Sequence, residues 1–199
     1  MKIRILKHHN KYKLIRRLKN ITMLKDSHNY IYEHAFISIE KVNTDCLVPP
    51  QNYVLNPELK NKLELKYAFE EADIDIFNLD GYVEFSLEGD DTIRTLLPPV
   101  VEESIENDGM IIPIINDGMH RIYLARIEKK PIEVIFIRGV SRNFPYYAYP
   151  VIGGWESVKA VDELTPGTIK KWHRIQDNKK LYRNFDSVFK CCSKPRDIK

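Results

Sequence analysis

The spacing of apolar residues changes several times along the chain, and each change predicts an element. Leu14, Ile15, Leu18, Ile21 and Met23 fall mostly three or four apart, the period of one helix face, while Lys13, Arg16, Arg17 and Lys19 point elsewhere. A short strand is expected at 35–39, after which Pro49-Pro50 stops any regular element. Pro57 suits the first turn of a helix that carries Leu59, Leu63, Leu65, Tyr67 and Phe69 and runs to about residue 72. Residues 74–79 alternate apolar with Asp and Asn, Asp80-Gly81 is a turn signal, and 82–87 alternate again, so a hairpin is predicted over 74–87.

Gly89-Asp90-Asp91 reads as a further turn. Pro98-Pro99 then precedes 100–106, predicted as a helix begun by proline and stopped near Asp108-Gly109. Residues 110–115 have the β-branched richness of a buried strand, and Pro113 within them implies an edge or a bulge. A helix is expected over 122–128 and a strand over 132–137. Beyond Gly139 the chain is rich in aromatics and turns, with a brief helical signal near 156–161 and a basic, aromatic stretch from 170 onward. These elements predict an α/β (α+β) protein, a small mixed sheet flanked by helices. It divides into a basic amphipathic segment (1–30), a core (31–140) and an aromatic, basic C-terminal extension (141–199).

The chain has 199 residues, 43% hydrophobic and 30% charged, enough for one substantial core. No apolar run approaches the roughly 20 residues that a spanning helix needs, so no transmembrane segment is expected. Cys46 stands alone and Cys191-Cys192 are adjacent; without a CxxC pair or a disulfide framework, a reducing cytoplasm is expected. The net charge of +3 is uneven. Residues 1–25 hold nine Lys or Arg and no acid, leaving 22 basic against 28 acidic residues in the remainder. The simplest reading is a basic helix docked by its apolar side on an acidic body, the alternative a nucleic-acid contact through residues 1–25.

The candidate chemistry is concentrated in Asp117-Gly118-Met119-His120-Arg121, between the 110–115 strand and the helix that follows. A glycine permits a sharp turn, and the first backbone N–H groups of the next helix then point outward, unpaired and partly positive. Phosphate is their natural partner. Arg121 adds a planar fork of donors, and His120 can donate a hydrogen bond or take up a proton near neutral pH. Asp117 is expected to cap the helix. Tyr146, Tyr147, Tyr149 and Trp155 serve either as core packing or as a wall for a ligand.

With its flanks in view, the segment 97–140 resembles the ParB/sulfiredoxin superfamily of nucleotide-binding α/β domains. The resemblance rests on the Asp117-Gly118-x-His120-Arg121 turn, on Leu124-Ala125 in the helix, and on Pro131-Ile132-Glu133-Val134 at the start of the next strand. Met119 stands where sulfiredoxins carry their catalytic cysteine, and a thioether cannot act as a thiolate nucleophile. Residues 141–199 lack the two clean helices of a helix-turn-helix module. The wording of the turn is most similar to the free serine kinase branch. That likeness implies a nucleotide-dependent phosphotransferase or nucleotide hydrolase using ATP or ADP with Mg²⁺ and a small-molecule acceptor. Asp117, Gly118, Met119, His120 and Arg121 would hold the phosphates, with His120 and Arg121 also catalytic. Asp45 would be the base for the acceptor, with Glu40, Glu102 and Glu103 as alternatives. A non-catalytic nucleotide or nucleic-acid binding module is the other reading.

Overall fold

The computed structural model describes residues 1–106, 108–166 and 176–192. Its strands and helices, in chain order, are β1 (Ile3–Asn10), α1 (Lys11–Leu18), β2 (Thr22–Met23), β3 (Asp26–Tyr30), β4 (Phe36–Val42), β5 (Tyr53–Leu55) and α2 (Asn56–Glu70). They continue as β6 (Gly81–Leu87), β7 (Asp90–Leu96), β8 (Val100–Ile105), β9 (Ile111–Asp117), α3 (Met119–Ile127), β10 (Ile132–Arg138), β11 (Lys159–Val161) and β12 (Arg183–Asn184). This is an α+β architecture dominated by strands. Among the described residues no helix is long and apolar enough to cross a membrane. The basic stretch around 170–174 and the polar tail from 193 lie outside the described residues.

The central sheet runs β4-β10-β8-β9. β10 lies antiparallel to β4 and parallel to β8, and β8 lies antiparallel to β9. Alternate residues of β10 serve two cores. Ile132, Val134 and Phe136 join the cluster that holds Phe69 of α2 and Ile122 of α3. Ile135 and Ile137 join Leu14 and Leu18 of α1 with Phe185 and Phe189. Burial on both faces explains why this strand is apolar almost throughout rather than at every second position.

The apolar stripe buries as its spacing predicted, with Leu14 and Leu18 of α1, and Ile21 just beyond it, fully inaccessible. The basic segment is nevertheless not helical from its start, because residues 3–10 form β1, which pairs antiparallel with β6 from Ile3↔Leu87 to Asn10↔Gly81. Asn10 then caps α1, its side chain accepting from Lys13 N at 3.0 Å. The helix opened by Pro57 is α2, as expected.

Three expectations are corrected. The hairpin predicted over 74–87 does not form: β6 pairs with β1 on one side and with β7 on the other, and the tight turn lies at Gly89. Residues 74–80 are irregular chain whose apolar positions, Ile76, Phe77 and Leu79, enter the core. Gly81 marks close packing instead of a hairpin turn, since a Cβ there would lie 1.9 Å from the His9 carbonyl oxygen. The helix predicted over 100–106 is strand β8. Its Val100, Val101, Glu102 and Ser104 are all buried between two partner strands, and that tertiary pairing overrides the proline-led helix signal. The signal near 156–161 resolves into a single 3₁₀ turn at Gly154–Ser157 and then β11, which pairs parallel with β5. The edge reading of Pro113 holds, because β9 is the border strand of the central sheet.

Candidate functional site

β9 delivers Asn116 and Asp117 to the end of the central sheet, where the chain reverses into α3. Gly118 makes the reversal with φ +85°, and a Cβ at this position would lie 2.7 Å from Pro99 Cβ. Glycine is therefore required twice, once by the left-handed backbone and once by contact with the proline that precedes β8. Gly118 is also the N-cap of α3, and no side chain caps the helix. The capping role expected of Asp117 is not observed: it ends β9, paired in register with Val100. The carbonyl of Gly118 accepts from Arg121 N at 2.9 Å and Ile122 N at 3.0 Å, so the amides of Met119 and His120 precede the first helical bonds.

Arg121 is the decisive side chain. It is only 6% exposed, and among the described residues its Nη1 has no hydrogen-bond partner. Loss of hydration pushes the guanidinium down to about 10, and the nearby Asp117 charge only partly offsets this. A buried cation without a bound carboxylate is costly unless an anion completes it. Met119 turns its side chain into the main core with Ile115 and Ile122, so only its backbone can face the turn. His120 Nε2 accepts the Leu55 N–H at 3.1 Å, tying α3 to the junction of β5 and α2. This nitrogen is an acceptor in a structural contact, so His120 helps to position the turn.

A family model, the ParB CE domain, matches residues 13–159. The chain belongs to that family. Curated proteins and solved structures give no match to it. The ParB CE match begins within α1 and ends at the first residue of β11, so it spans the whole central sheet and the Gly118 turn, leaving β1 and β12 outside.

The other carboxylates considered for this ParB-family site lie in ion pairs of their own. Asp45 binds Arg126 in the last turn of α3, and the Arg126 guanidinium lies 5.1 Å from the centre of the Trp155 ring. Eight residues, about 12 Å along a helix axis, separate Arg126 from Gly118, so this ion pair anchors Asp45 to the last turn of α3, while the glycine turn lies at its first. Glu40 takes two bonds from Arg138, at 2.6 and 3.0 Å, and this pairing holds its carboxyl below the usual range. Glu103 also lies 3.3 Å from Arg138. Glu102 is 1% exposed and engaged by Arg183, by Tyr32 Oη at 2.9 Å and by Asn116 Nδ2 at 3.1 Å. Burial and the Glu102 charge together push the Tyr32 hydroxyl far above its usual range.

Some residues of this region were not legible in sequence. Pro99 reads as a helix starter, Leu55 carries no polar side chain, and Arg183 sits in a run of ordinary basic residues. Tyr146 and Tyr147 are core packing, with Tyr146 Oη donating to the Ile115 carbonyl at 3.1 Å. Trp155 donates from Nε1 to the Thr44 carbonyl at 3.0 Å. Among the described residues no group of three or more His, Cys, Asp or Glu is placed to hold a metal ion.

Proposed function

We propose that this ParB-family chain binds a nucleotide by seating its phosphates at the N-terminus of α3, on the amides of Met119 and His120 and the guanidinium of Arg121. One observation carries the reading: Arg121 is buried beside the helix N-terminus with a donor unused. A phosphate oxygen would satisfy that donor, neutralise the cation and meet the positive end of the helix dipole. Mg²⁺ would arrive with the phosphates, as it commonly does where the protein supplies one carboxylate or two, and Asp117 is the carboxylate of the turn.

Phosphotransfer from ATP or ADP asks for more. Asp45 would have to exchange Arg126 for an acceptor hydroxyl, and binding alone needs no such rearrangement. Nucleic-acid binding through residues 1–25 is less favoured, because seven of the nine cations there are already engaged. Lys2, Arg4, Lys11, Arg17 and Lys25 pair with acids, Lys13 meets His9, and Lys19 caps the Glu33 and Ala35 carbonyls.

The test is calorimetric titration of ATP, ADP, CTP and GTP in Mg²⁺, with product analysis of the same mixtures. At least one nucleotide should bind, and Arg121→Ala should weaken it by roughly 10- to 100-fold, the worth of a charge-assisted hydrogen bond. Equal binding by wild type and Arg121→Ala would sink the proposal. Turnover that requires Asp45 would extend it to phosphotransfer.

A further inference from the structure

Glu106, Asp108, Met110 and Ile112, together with the loop at 149–152, line an open cleft of about 550 Å³ remote in chemistry from the Gly118 turn. Met110, Ile112, Tyr149, Pro150 and Ile152 supply its apolar wall, and its charged residues are Glu106 and Asp108, both acidic. Ile152 is 88% exposed and Met110 55%, and Ile105 and Ile111, opposite each other across β8 and β9, are exposed at the same end of the sheet. Apolar side chains gathered in this way mark a binding surface rather than ordinary surface scatter. The acids repel phosphates and anionic headgroups and favour an occupant that pairs an apolar anchor with a cation.

The chain carries such a group on α1. Tyr12 is the most exposed aromatic among the described residues, at 75%. Arg16 follows one helical turn later on the same face of α1, exposed and without a side-chain partner among the described residues, and the Lys11 ammonium lies 5.9 Å from the Tyr12 ring. A rigid aromatic flanked by cations is the kind of anchor that acid-rimmed apolar clefts recognise.

We propose that the chain self-associates head to tail, the Tyr12 and Arg16 face of α1 on one copy seating in the Met110–Ile152 cleft of the next. The two surfaces differ, so the contact is heterologous: each copy that uses its anchor leaves its cleft open for another. Assembly then grows into rings or short filaments with concentration and weakens with salt, which screens the Arg16–acid attraction.

Sedimentation velocity on the full chain tests this. Wild type should sediment faster as concentration rises at low salt, and less so at high salt. Tyr12→Ser, Arg16→Glu and Ile152→Asp should each weaken assembly by about tenfold or more. The mixture of Tyr12→Ser with Ile152→Asp decides the geometry: one variant retains a cleft and the other an anchor, so together they should form a dimer that grows no further. Met110→Asp replaces Ile152→Asp should circular dichroism show that variant unfolded. A wild type that stays monomeric throughout, or a mixture that forms no dimer, overturns the proposal.

Discussion

A guanidinium held out of water with a donor unused works against the fold that holds it, and Arg121 is such a group. Its replacement by Met, similar in length and uncharged, should raise the stability of the ligand-free protein by ~1–3 kcal/mol. That corresponds to a Tm higher by roughly 2–10 °C, read by differential scanning calorimetry. The same variant should lose any nucleotide-dependent rise in Tm; a drop in ligand-free stability would show that Arg121 is there for packing. Gly118→Ala should act in the opposite direction, costing about 1–3 kcal/mol in chemical denaturation, because it combines a φ of +85° with a 2.7 Å approach to Pro99. Glu40 gives a pH signature. Arg138 depresses its folded pKa below the unfolded value of 4.5, so its stabilisation is complete above that value and is lost as pH falls through the lower, folded pKa. Urea midpoints measured from neutral pH into acid should therefore fall less steeply below pH 4.5 for Glu40→Gln than for wild type. The residue types of the turn were readable in the sequence; the burial of Arg121 was not, since exposure is a property of what packs around a side chain.

At the scale of elements, β8 shows how tertiary structure overrides local signals. Its text, two prolines followed by two valines and two glutamates, fits a helix start. In the sheet, Glu102 instead points into a closed network in which Arg183 donates to it and also to the Phe144, Pro145 and Leu181 carbonyls. One side chain from β12 thus joins β8 to the loop that follows β10. The Glu102 charge keeps the Arg183 guanidinium above its usual range although burial opposes it. Removal of one partner strands the other charge: Arg183→Met should cost about 3–5 kcal/mol. The double variant Arg183→Met with Glu102→Gln should lose less than Arg183→Met alone in the same denaturation series, because no buried carboxylate is left uncompensated. A double variant weaker than the single one would show that packing, not charge, dominates there.

For the molecule as a whole, the first 25 residues are part of the fold. β1 pairs with β6 along its length, and Leu14, Leu18, Ile21 and Met23 lie in the core with Phe185 and Phe189 from the far end of the chain. Deletion of residues 1–25 should abolish cooperative thermal unfolding, and a sharp transition retained by the truncated protein would contradict this. The sequence by itself determined what local chemistry decides: the period of α1, the proline-opened α2, the apolar strand β10, the confinement of Pro113 to an edge or a bulge, and the glycine turn into α3. Each depends on neighbours within a few residues, through steric limits on φ or the spacing of apolar side chains. The partner of β6, the strand identity of β8, the engagement of the basic segment by scattered acids and the burial of Arg121 were decided only by tertiary structure. Those features depend on contacts between residues tens of positions apart, and a strand records the face it buries without recording which strand will lie beside it.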